Sequence, residues 1–203
     1  MTAYHEGGHA LCAMHEPECD PVHKATIIPR GRALGLVMSL PEGDRYSKSK
    51  AKLNAELCMA MGGRAAEEII FGADKVSTGA GGDIKMATEQ ARRMVTEWGM
   101  SDKLGMIAYG DNSQEVFLGH SVTQAKNVSE ATAREIDAEI KQIIDSAYAR
   151  AKGILTDNLE ELHRLARGLL EYETLSAPKM VSSAARPPIA MVSSACSLDL
   201  LLE

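Results

Sequence analysis

Apolar positions recur along most of this chain at the three-to-four-residue spacing of helices that bury one face. The first such run, Thr2 to His15, ends where Pro17 and Pro21 forbid its continuation. From Ser47 the spacing returns, with Leu53, Leu57, Ala60 and Met61 on one face, up to Gly62-Gly63, which mark either a break or a close contact. Arg64 to Phe71 resumes the helix and Gly72 stops it. Ile84 to Trp98 reads as a third helix, entered through the small-residue loop Ser77-Thr78-Gly79-Ala80-Gly81-Gly82 and opened by Asp83. A long helix from about Val128 to Lys152 carries Ile136, Ile140, Ile143, Ala147 and Ala151 as its apolar stripe. Asp157 with Glu160 reads as the capping box of a last helix, whose stripe includes Leu159, Leu162, Leu165, Ala166 and Leu169.

Between the first two helices the pattern shortens to that of strands. His23 to Pro29 and Leu34 to Leu40, turning about Gly31, predict a small hairpin. Its edge either packs or holds an extended polypeptide by strand addition. Met106 to Tyr109 is a candidate short strand. Beyond Ser176 no period is sustained: residues 177–203 are rich in Ala, Ser and Pro and repeat Met-Val-Ser-Ser-Ala at 180–184 and 191–195. The expectation is a mainly α domain over residues 1–176 with a small β-hairpin or sheet near its N-terminus, followed by a disordered or non-native tail.

Composition narrows the class. With 45% hydrophobic residues in 203, the chain can bury a core, and aromatic residues at only 4% favour helices packed through small side chains. A net charge of −6, without a basic stripe, argues against a nucleic-acid partner. Cys12, Cys19, Cys58 and Cys196 form no C-x-x-C pair and read as reduced thiols. No apolar run reaches the ~18 residues of a membrane span, so the chain as given is expected to be soluble.

The chemistry gathers on the first helix, in His5-Glu6-Gly7-Gly8-His9. Helix residues four apart differ by about 40° in azimuth, so His5 and His9 share a face and can chelate one zinc ion. Glu6, about 100° round from His5, can flank that metal and take a proton from the attacking water. Two helix-interior glycines cost roughly 1 kcal/mol each against alanine, which points to tight packing or a close approach. Two histidines leave a third protein ligand to be found, a carboxylate or histidine from elsewhere. Asp83 is one candidate, although an acid in a first helical turn is often only a cap. His15, His23, His120 and His163 have no ligand-like spacing. A helix that carries both ligands from almost the first residue also leads one to expect more protein upstream.

Several segments, in order, resemble one family: the first helix, Met61-Gly62-Gly63-Arg64-Ala65-Ala66-Glu67-Glu68-Ile69, and Ser77-Thr78-Gly79-Ala80 with Asp83. Leu40-Pro41-Glu42-Gly43-Asp44-Arg45-Tyr46-Ser47 and Glu171-Tyr172-Glu173-Thr174-Leu175 are similar to it as well. The family is FtsH, the membrane-anchored, ATP-dependent zinc proteases, and the resemblance is to its peptidase domain over about residues 1–176. It implies one zinc per chain on His5, His9 and Asp83, with Glu6 as the catalytic glutamate. Glu67 stands as the alternative third ligand. It further implies unfolded or membrane-extracted polypeptide substrates, a homo-hexamer, and a parent protein anchored in a membrane with this domain facing the cytoplasm or an organelle interior. ATP and magnesium would belong to the family's ATPase module, since no G-x-x-x-x-G-K-[ST] occurs here. A ring-forming module without useful activity of its own is the competing expectation. The family usually has alanine where Gly7 stands, a departure that leaves the ligands intact.

Overall fold

In the computed structural model the described residues are 1–29, 31, 34–41, 43, 47–109 and 128–184. Parts of the Leu40–Ser47 segment, His120 and residues 185–203 lie outside them. The element order is α1 (Thr2–His15), β1 (Val22–Thr26), β2 (Leu36–Ser39), α2 (Lys50–Phe71), α3 (Gly81–Thr96), α4 (Glu130–Asp157), α5 (Leu159–Tyr172), β3 (Thr174–Ser176) and α6 (Ala177–Ala184), with short 3-10 turns at Ala73–Lys75 and Thr78–Ala80.

Helix α1 is the centre of the fold. Every residue from His5 to Ala13 is buried, because α2 and α5 pack along it and α4 closes in behind. Its one acid, Glu6, is buried with it. Such enclosure needs small residues where backbones cross. A Cβ added to Gly8 would lie 2.4 Å from the Gly62 carbonyl oxygen, and one added to Gly62 would lie 2.6 Å from that of Gly8. This pair sets the α1–α2 separation, and any side chain at either position would force the helices apart. At Gly7 an added Cβ would come nearest the Leu162 methyl, at 3.3 Å, so an alanine can be accommodated there.

Helix α2 runs unbroken through Gly62-Gly63, so of the two expectations for that pair the close contact is the one realised. Ser49 caps it by accepting from the Lys52 N–H at 3.1 Å, and Gly72, at φ 86°, ends it. The expected capping box at Asp157 does not form. Helix α4 continues through Asp157, and Asn158 alone joins it to α5, its amide and side chain both donating to the Ile154 carbonyl. Nor is Met106 to Tyr109 a strand. The Tyr109 amide donates to the Thr96 carbonyl at 2.8 Å, which folds the segment onto the end of α3.

The sheet is larger than the hairpin read from the sequence, with order β2-β1-β3 and both pairings antiparallel. Three residues of β3 escaped detection because so short a run carries no period. Glu173 makes the turn into β3 with φ 58°, a left-handed backbone rare for a side chain of that size. Its carbonyl is held by the Ile27 amide at 2.9 Å and the Thr26 hydroxyl at 3.0 Å. The other edge of β2 has no strand partner among the described residues.

The tail requires a correction. Residues 177–184 are helical, and Met180 is 1% exposed within the main core. Folded structure thus continues past Ser176. Because Met180 is buried where α6 packs on α5, β1 and β3, Met180→Ala is expected to destabilise the protein by about 2–3 kcal/mol, at the lower end for deleting a large core side chain. Chemical denaturation checks this, and an unchanged midpoint would mean that α6 is not docked.

Candidate metal centre

His5 and His9 lie one turn apart on α1, and their Nε2 atoms are 3.1 Å from each other. Asp83, in the first turn of α3, brings Oδ2 to 3.3 Å from His5 Nε2 and 3.6 Å from His9 Nε2. The 3-10 turn Thr78–Ala80 leads directly into this first turn. Of the described His, Cys, Asp and Glu side chains, these three form the cluster of metal-ligating type.

The far nitrogen of each ring decides what the near one offers. His9 Nδ1 is 2.8 Å from the Met59 carbonyl oxygen, which can only accept, so Nδ1 carries the proton. His5 Nδ1 is 2.9 Å from Glu67 Oε1 and donates to that carboxylate. With both Nδ1 protons so engaged, the neutral rings turn two Nε2 lone pairs and a carboxylate oxygen towards one point. That arrangement is repulsive unless a proton or a metal ion lies between. Zinc bonds of about 2.0–2.1 Å in a tetrahedron place ligand atoms about 3.3–3.4 Å apart, which is the size of the observed triangle. The donor set therefore fits zinc.

The surroundings confirm how little space is left. A Cβ added to Gly63 would lie 2.5 Å from His9 Nε2 and 2.8 Å from His5 Nε2, so α2 presents bare backbone to the ligand atoms. On Glu6, an added Cβ at Gly35 would come within 2.3 Å of Oε1, so the chain entering β2 passes directly over this carboxylate.

Charge in the site follows burial and neighbours. Burial disfavours the His5 imidazolium, but hydrogen bonds to Asp83 and Glu67 and the charge of Glu6 outweigh it and raise its pKa. Burial raises the Glu6 pKa despite the two histidines. Asp83, although burial opposes its charge, is held well below the usual carboxylate range by His5 and His9. Glu67 is likewise lowered against burial, by the Ser77 amide and hydroxyl and by His5.

All the residues singled out in the sequence gather here, with one change of position. Glu67, the alternative third ligand, lies behind His5 on the nitrogen that faces away from Asp83. Gly35, Gly63 and the Met59 carbonyl were not assigned to the site. Only the motif around Gly62-Gly63 carried a hint of them, and a backbone carbonyl leaves no trace in residue type.

A helix-borne H-E-x-x-H whose histidines converge with a carboxylate from a second helix is the arrangement that suits a zinc-peptidase class of domain. Residues 1–182 match the model of peptidase family M41, and the chain belongs to that family. It is 59% identical over 180 residues to the ATP-dependent zinc metalloprotease FtsH of Caulobacter vibrioides, covering 89% of this chain and 29% of that protein. The FtsH of Rickettsia bellii is 52% identical over 180 residues, with 89% and 28% covered, and that of Haemophilus influenzae 50% over 188, with 93% and 30% covered. The chain thus spans less than a third of the length of these relatives.

Proposed function

We propose that this chain is the peptidase unit of an FtsH-type protease, binding one zinc ion through His5, His9 and Asp83 and hydrolysing peptide bonds with Glu6 as general base. The observation that carries the reading is the convergence of the two Nε2 lone pairs and Asp83 Oδ2, at separations that suit tetrahedral zinc. Zinc held there supplies Lewis acidity, polarising the scissile carbonyl and lowering the pKa of the attacking water. Glu6 accepts that water's proton on its carboxylate and returns it to the leaving amine. Burial, which raises the Glu6 pKa, makes it a better base than an exposed glutamate. An extended polypeptide paired on the edge of β2 away from β1, which has no strand partner among the described residues, would run past Glu6, because the strand's entry at Gly35 lies against that residue.

The wider setting belongs to the same proposal. Substrates are unfolded or membrane-extracted polypeptides, delivered by an ATPase module in a hexameric ring whose membrane anchor is supplied by other segments. Among the described residues, no helix is long and apolar enough to cross a membrane. ATP and magnesium act on the ATPase module.

Two measurements test the reading. Chelator-stripped protein should lose hydrolysis of an unfolded polypeptide such as casein and regain it with zinc. Cleavage that survives stripping would contradict the proposal, and inactivity with zinc bound would favour the ring-forming module. For the third ligand, Asp83→Ala is expected to abolish stoichiometric zinc, whereas Glu67→Ala weakens it about 10–100-fold, as losing a partner of a ligating histidine does. The reverse ranking, by elemental analysis and chelator competition, would move the ligand role to Glu67.

A further inference from the structure

The metal centre has a support that its ligands do not explain. Glu67 is 1% exposed, and its carboxylate is held from two directions. His5 Nδ1 donates to Oε1 at 2.9 Å. From the other side the Ser77 amide donates to Oε2 at 2.7 Å and the Ser77 hydroxyl to Oε1 at 3.0 Å. The direction of that last bond is fixed, since a carboxylate only accepts, while the same hydroxyl accepts from the Gly79 amide at 3.1 Å. Ser77 opens the 3-10 turn Thr78–Ala80, which runs straight into the first turn of α3 and Asp83. One hydroxyl therefore joins the residue behind His5 to the loop that delivers Asp83.

We propose that Ser77 is a positioning residue of the metal centre, whose hydroxyl acts through Glu67 to orient His5 and fixes the loop that brings Asp83 to the same point. This rests on the zinc-peptidase reading above. Both functions follow from the bonds on Oγ. Donation to Oε1 stops the Glu67 carboxylate from rotating, which keeps the His5 ring in the plane that aims Nε2 at Asp83. Acceptance from Gly79 sets the turn that starts α3. Outer partners of metal ligands work in this way, by fixing ring orientation and tautomer rather than by touching the metal.

The alternative is that Oγ only caps the turn, and three substitutions separate the two. Ser77→Ala removes both bonds. Ser77→Thr keeps both, on an extended backbone (φ −98°, ψ 169°) that tolerates β-branching. Ser77→Asp keeps the cap but cannot donate to Glu67 and repels it. Zinc affinity, measured by chelator competition on the purified chain, is expected to fall about tenfold for Ser77→Ala, the low end for losing an outer partner. Ser77→Thr should stay within about twofold of the wild type, and Ser77→Asp should bind at least as weakly as Ser77→Ala. In the zinc-loaded wild type and Ser77→Thr, the His5 Nδ1 proton should give a resolved, slowly exchanging NMR signal, lost or broadened in Ser77→Ala. Wild-type affinity in Ser77→Ala, or in Ser77→Asp, would overturn the proposal while leaving the zinc site standing. A wild-type chain that binds no zinc would remove the site and the proposal together.

Discussion

Gly63→Ala is expected to weaken zinc binding by about ten- to a hundredfold while the helix that carries it remains folded. Helix propensity alone gives the opposite expectation, because alanine in a helix interior is favoured over glycine by roughly 1 kcal/mol. The geometry decides otherwise. The new methyl would stand 2.5 Å from His9 Nε2 and 2.7 Å from His5 Cε1, inside van der Waals contact with both ligand rings. Overpacking of this kind costs about 1–3 kcal/mol, and each 1.4 kcal/mol is a factor of ten. Without metal the rings can turn aside, so the melting temperature should move far less than the affinity. Zinc titration beside thermal melting checks this, and a variant that is more stable and binds zinc normally would show that α2 does not sit against the ligand atoms.

Glu6→Gln should leave zinc affinity and folding nearly unchanged and reduce turnover by at least ~10², the low end for general acid–base catalysis. The amide keeps the volume of the carboxylate beneath Gly35, so the close contact there is preserved. It has no basic oxygen to accept a proton at neutral pH. Turnover is best measured on an unfolded polypeptide with the chain joined to the remaining part of an FtsH relative, so that delivery does not limit the rate. Full activity in Glu6→Gln would remove Glu6 from the mechanism.

The helices and their inward faces were legible because burial imposes a period: Leu53, Leu57, Leu162, Leu165 and Leu169 all lie in the core. The candidate ligands on α1 were legible because the i, i+4 spacing of His5 and His9 puts them on one helix face. Asp83 was one candidate among others, singled out by the resemblance, since nothing local separates a candidate ligand from a cap in a helix's first turn. What stayed hidden depends on tertiary contacts. Gly62-Gly63 reads equally as a helix break or a close contact until α1 is laid across it, where the absence of side chains lets Gly8 and the two histidines approach. Glu67 and Asp83 were both plausible third ligands in sequence, and only the placement of α3 puts one on each side of His5. The tail repeat obscured Met180, whose burial comes from docking on α5 and the sheet rather than from any sustained pattern.

The central claim, one zinc held by two imidazoles and the Asp83 carboxylate, is tested most directly by zinc K-edge X-ray absorption on the purified chain and on Asp83→Ala. The account predicts stoichiometric zinc in the wild type, with nitrogen and oxygen neighbours at about 2.0–2.1 Å, multiple scattering from two imidazoles, and no sulfur at about 2.3 Å. Asp83→Ala should show the loss of one oxygen neighbour or of the metal altogether. A sulfur shell, a single imidazole, or a spectrum unaltered by Asp83→Ala would contradict it.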